Sequence, residues 1–275
     1  MTQKLLRAAT FALLCALPLQ ACAPYNKTPV VGTALDSMRG KEAETMARNK
    51  TGADDALAMG DLKEALRLAG KAYGDKNTPA HALRYATLLR KSGNPATALK
   101  IIGPYAENGD GSVTANANPA ILNEAAACHI ALGEFDQAEK LLTVSLKASA
   151  AQPQEADAEN LMGIVLDEKG AHKDAEQMYR SALADWQGNP TTVMNNLALS
   201  LASQGMFDQS LEELRQALVM APDKEEIARN IQIVSELRDS VIAKAPVSLR
   251  KKLPPRNTDP CIKPGAPKAS ASKKH

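Results

Sequence analysis

Three hydrophobic patterns follow one another along this chain. Residues Ala8 to Leu19 form an almost unbroken apolar run. From about Gly40 to Pro222 small residues and glycines recur in a fixed frame. Five glycines, Gly60, Gly93, Gly133, Gly170 and Gly205, are spaced by 33, 40, 37 and 35 residues. Five residues after each stands Ala65, Ala98, Ala138, Ala175 or Ser210, and seven before each stands Ala53, Ala86, Ala126, Gly163 or Ala198. A helix–turn–helix unit needs this arrangement. One small residue per helix lets the axes cross closely, and the glycine turns the chain between them. Past Pro222, Ile227, Ile231, Val234, Leu237 and Val241 recur at three- and four-residue steps and make a single stripe, with Arg229, Gln232, Glu236, Arg238 and Asp239 off it.

The recurrence resembles the tetratricopeptide (TPR) repeat, whose period is about 34 residues. The expected fold is therefore all-α: a right-handed TPR solenoid of about five repeats over 40–222, a C-terminal capping helix over 223–245 and a disordered basic tail over 246–275. Thr78-Pro79, Asn118-Pro119 and Asn189-Pro190 each put a capping side chain before a proline, which starts a helix without orphaning an N–H. The predicted helices are Gly40–Ala58, Leu62–Tyr73, Pro79–Lys91, Pro95–Ala106, Pro119–Leu132, Phe135–Ser149, Ala156–Lys169, Lys173–Asp185, Pro190–Gln204 and Phe207–Met220, then a cap over about Lys224 to Ala243. Its polar outer face suits the end of a solenoid. The 40-residue step holds extra residues from Glu107 to Thr114. They lack the spaced acids and closing Glu of a calcium loop and read as a plain connection.

The opening run is too short to span a bilayer, which takes about 20 residues. With Lys4 and Arg7 ahead of it, it reads as a signal peptide over 1–21. Leu19-Gln20-Ala21-Cys22 then resembles a bacterial lipobox, which implies that Cys22 is acylated. The alternative is an ordinary secretory signal with a chance cysteine. Ala23 stands where an Asp would resemble an inner-membrane retention signal, so the expected address is the outer membrane, facing the periplasm. Residues 22–39 read as a tether.

Charge adds an asymmetry. Loss of residues 1–21 leaves 31 charges of each sign, yet the tail from Pro246 carries eight Lys or Arg against Asp259 alone. It is thus +7 on a body of −7, which suits contact with an anionic surface or acidic partner, or simply a solvated end. Nucleic acid is not expected, since the tail has no aromatic residue for stacking. Of four cysteines, Cys15 leaves with the signal and Cys22 is the lipid site. Cys128 reads as a small buried hydrophobe, a bridge to Cys261 being the alternative.

No catalytic constellation is apparent. His81, His129, His172 and His275 fall in separate elements without metal-ligand spacing, so neither enzyme, metal nor cofactor is expected. Tyr179 and Trp186 read as core. What remains is binding. First helices of such repeats line the inner, concave surface, and ten residues before the repeat glycine stand Asn123, Asn160 and Asn195. Read as exposed, they form an amide stripe suited to an extended peptide's backbone, or are simply tolerated polar residues.

The segment Asn189-Pro190-Thr191-Thr192-Val193-Met194-Asn195-Asn196-Leu197-Ala198-Leu199-Ser200, with the later Ala228-Arg229-Asn230-Ile231, resembles the last repeat and cap of TadD, the TPR lipoprotein family of tight-adherence (Flp-type) pilus assembly. The resemblance implies an outer-membrane-anchored scaffold that helps localise or assemble the pilus secretin. Alternative functions are an accessory lipoprotein of outer-membrane β-barrel assembly and an adaptor for cell-wall hydrolases.

Overall fold

The five frame glycines all adopt left-handed backbone, with φ between 78° and 82°. A Cβ at any of them would meet nothing within 4 Å, so conformation rather than space requires glycine at these turns. In the computed structural model, which describes residues 52–114, 116–149 and 153–244, these turns join helices in pairs. In chain order they are α1 (52–58), α2 (Leu62–Asp75), α3 (Pro79–Lys91), α4 (Pro95–Ala106), α5 (Pro119–Leu132), α6 (Phe135–Ala148), α7 (Pro153–Glu168), α8 (His172–Asp185), α9 (Thr191–Ser203), α10 (Phe207–Met220) and α11 (Glu225–Lys244).

There is no strand among the described residues, and no helix there is long and apolar enough to cross a membrane. The signal segment, Cys22, the tether, the first turns of the predicted opening helix, Cys261 and the basic tail lie outside the described residues.

The expected caps form. The side chains of Thr78, Asn118 and Asn189 accept from the backbone N–H of His81, Ala120 and Thr191. Each helix packs on its successor, so the core runs from unit to unit. The small residues of the frame are buried: Ala65, Ala98, Ala138, Ala175 and Ser210, and likewise Ala53, Ala86, Ala126 and Ala198. Ser210 also donates to the carbonyl of Ala198 at 2.6 Å, which satisfies its buried hydroxyl across the α9–α10 crossing. On α11, Ile227, Ile231 and Val234 are buried against α10, while Arg229, Gln232 and Glu236 lie off that buried stripe.

Two expectations need correction. Tyr179 is buried, but Trp186 is half-buried, because it follows the end of α8 and its indole N–H donates to the carbonyl of Asn189. The 107–114 connection is a hairpin rather than a plain loop. Glu107 and Val113 form an antiparallel bridge, the Asn108 N–H donates to the Ser112 carbonyl, and Gly111 turns at φ 77°. Asp110 caps the turn by accepting from the N–H and hydroxyl of Ser112, which lowers its carboxyl below the usual range.

Candidate protein-binding face

The first helices of the units, α3, α5, α7 and α9, stand side by side, and polar side chains join each to the next. Arg84 on α3 pairs with Asp54 on α1. Arg90 on α3 grips Glu124 on α5 through Nε at 2.7 Å and Nη2 at 3.0 Å, and the Thr87 hydroxyl donates to the same carboxylate at 3.0 Å. Glu124 is 7% exposed, so this forked pair carries a desolvated charge and depends on its partners. The Cys128 thiol also faces Glu124. Burial first, and then the Glu124 charge, pushes that thiol up to about 12. It is therefore inert at neutral pH.

The three asparagines lie in this row, and their expected exposure is wrong. Asn123, Asn160 and Asn195 are buried, at 6–8%. Asn123 donates to the Gln154 carbonyl at 2.9 Å and accepts from the Ser145 hydroxyl at 2.6 Å. Asn160 accepts from Asn196 at 3.1 Å, and Asn195 accepts from Asn230 on α11 at 2.8 Å. The position ten residues before the glycine faces the neighbouring unit, so the amides hold units together across intervals of 31 to 36 residues.

A second cluster joins α7, α8 and α9. Asp167 accepts from His172 Nδ1 at 2.8 Å, from the Tyr179 hydroxyl at 3.1 Å and from the Ser200 hydroxyl at 2.8 Å. Serine, histidine and aspartate meet here, but not as a catalytic triad: the buried serine donates to the aspartate and to the His172 carbonyl, not to the imidazole. The cluster is a strut. Burial, with the Asp167 charge beside it, raises the Tyr179 hydroxyl well above its ordinary range. Among the described residues, no group of three or more His, Cys, Asp or Glu is placed to hold a metal ion.

Sequence spacing missed these ties, although their signal was present: complementary side chains one repeat apart. The same rule extends to Lys169, which bridges Asp136 and Glu139 of the preceding unit, and to Arg238, which meets Asp208. Residues thirteen, six and two before each glycine fall within a narrow sector of a 100°-per-residue helix. Ala131 and Thr192 are exposed there, and Ile164 and Glu168 half-buried. Ala127 and Leu199, at the same sector positions, are buried, so the accessible side chains make an interrupted stripe along the first-helix row.

Comparison with known proteins agrees with the fold. The coatomer epsilon subunit family matches residues 110–198. No curated protein matches the chain. A crystal structure of a thermophilic TPR protein from Thermus thermophilus is similar with TM-score 0.57 and 19% identity, over 69% of this chain and 98% of that one. The APC/C hetero-tetramer Cut9–Hcn1 is similar with TM-score 0.60 and 16% identity, over 87% of this chain and 40% of that one. At such identities the likeness is one of fold. The chain has a TPR-like helical-repeat fold.

Proposed function

We propose that this chain is a protein-binding scaffold of the cell envelope, tethered through an acylated Cys22 to the periplasmic face of the outer membrane, where it aids secretin localisation or assembly for a Flp/Tad-type pilus. The stack of helix–turn–helix units carries the scaffold part of this reading. The TadD-like segments support the pilus part, and they are physically linked: Asn195 of the first accepts from Asn230 of the second at 2.8 Å. The Leu19-Gln20-Ala21-Cys22 box supports the anchor. A tethered scaffold raises the local concentration of its partner without new contacts.

With the three asparagines engaged internally, the partner is assigned to the accessible first-helix stripe that includes Ala131, Ile164, Glu168 and Thr192. The test is capture of the secretin by the full chain and by an Ala131→Arg/Thr192→Arg variant, both exposed positions, beside a deletion strain scored for surface pili. Lost capture with intact helicity supports the stripe, and equal capture removes it. Normal piliation without the gene removes the pilus from the function.

A further inference from the structure

His129 stands between two carboxylates, and both of its ring nitrogens are engaged. Nδ1 lies 2.6 Å from Glu134 Oε2, and Nε2 lies 3.2 Å from Glu107 Oε2. The side chain is 7% exposed. A neutral imidazole has one N–H and one bare nitrogen, and an ionised carboxylate only accepts. With both carboxylates ionised, the two contacts are satisfied together only by the imidazolium. Histidine is the side chain whose charge changes near neutral pH, whereas carboxylates are normally ionised there.

The three residues lie on separate elements. Glu107 leaves α4 and forms the base of the 107–114 hairpin; His129 is on the last turn of α5; Glu134 is in the α5–α6 turn. Nearby polar side chains have partners of their own. From α6, Gln137 donates to Glu107 and to the Gly111 carbonyl, and Lys140 donates to Gln137. Within the hairpin, Asp110 is turned onto Ser112. On α5 and α3, Glu124 and Arg90 face each other. From α7, the core around α5 receives Ala158, Met162 and Val165.

The geometry points to a pH-sensitive clasp: protonated His129 fastens the 107–114 hairpin, at the junction of the second and third units, to the α5–α6 turn, and loss of the ring proton releases one of its two anchors. The sign follows directly. The hairpin is held at acidic pH and loosens as pH rises, because the bare nitrogen then faces a carboxylate with no hydrogen between them.

The experiment is solution NMR and amide exchange on the full chain between pH 5 and 8.5. The expected result is that both His129 ring nitrogens carry protons at the acidic end. The amides of Asn108, Gly111 and Ser112 should follow the ring's midpoint and, after correction for intrinsic rates, lose about tenfold in protection on the alkaline side, the scale of one charge-assisted hydrogen bond. Glu134→Gln supplies the control. Its half-exposed side chain keeps the fold safe, and its amide can donate to a bare ring nitrogen, so the loss should shrink to about twofold. A ring that does not titrate in this range, hairpin amides that ignore its titration, or an undiminished loss in Glu134→Gln would each overturn the clasp.

Discussion

Gly163 on α7 lies against the ring of Tyr179 on α8: a Cβ built on the glycine would stand 2.5 Å from Cε1 and 2.7 Å from Cζ. The frame has alanine at the other four equivalent positions, so the fourth unit trades a methyl group for an aromatic ring. Tyr179 is buried and its hydroxyl is tied to Asp167, which leaves the ring little room to withdraw. Gly163→Ala is expected to cost on the order of 1–3 kcal/mol by overpacking, although alanine is the better helix former. Gly163→Ala in a Tyr179→Leu background should recover much of that loss. Urea denaturation of the two variants and their parents checks it, and a stabilised single variant would contradict the crowding.

Asn195 and Asn230 make the same kind of commitment with polar groups. Asn230 is 3% exposed and donates to Asn195, so Asn195→Ala leaves a buried amide without its acceptor. The expected cost is about 1–3 kcal/mol. It should appear first as loosening of α11, the terminal helix, in amide exchange. Asn195→Ala as stable as wild type, with α11 equally protected, would refute this role.

The turns and most helix bounds were legible in the sequence because their physics is local. A left-handed turn favours glycine, a close crossing favours a small side chain, and a helix start favours Asn-Pro or Thr-Pro. The early start of α7 at Pro153, rather than Ala156, is the largest departure at an amino end from Leu62 onward. The face of Asn123, Asn160 and Asn195 was not legible, because periodicity gives a residue's direction but not what covers it. Asp167 illustrates the same limit. Its partners come from α8 and α9, and each looks unremarkable within its own helix. The ties at Asp54–Arg84, Arg90–Glu124 and Asp136–Lys169 become visible only when positions about one repeat apart are compared.

Arg90 and Glu124 provide the sharpest energetic test of those ties. Removing one partner of a buried ion pair is more damaging than replacing both, since the remaining charge stays desolvated. Arg90→Met should therefore cost roughly 3 kcal/mol, and Arg90→Met/Glu124→Met clearly less. Thermal melts of the two variants decide it. A double variant less stable than Arg90→Met would mean that the pair's net contribution outweighs its desolvation.

Acylation at Cys22 predicts a change in fractionation rather than in fold. Each buried CH₂ contributes about 0.8 kcal/mol to membrane binding, and two or more chains give stable anchoring. Cys22→Ser should move the protein to the soluble or uncleaved fraction, while the released helical body keeps its far-UV CD spectrum. Unchanged outer-membrane fractionation, with no lipid label on the wild type, would end the lipoprotein reading.

Glu168, at the end of α7, makes stability depend on pH. Burial, with the adjacent Asp167 charge adding and His172 opposing, raises its carboxyl above the ordinary range. The folded chain then holds this proton more tightly than the unfolded chain does. Ionisation consequently costs stability as pH rises through the window between the unfolded and folded values, and the cost is absent below both. Replacing the carboxyl by an amide removes it. Glu168→Gln should be more stable than wild type at pH 7, and the advantage should fade as pH drops below about 4.3, the unperturbed value for glutamate. Denaturant midpoints measured on either side of that value test this. An advantage of equal size on both sides would assign it to packing of the amide rather than to the half-buried charge.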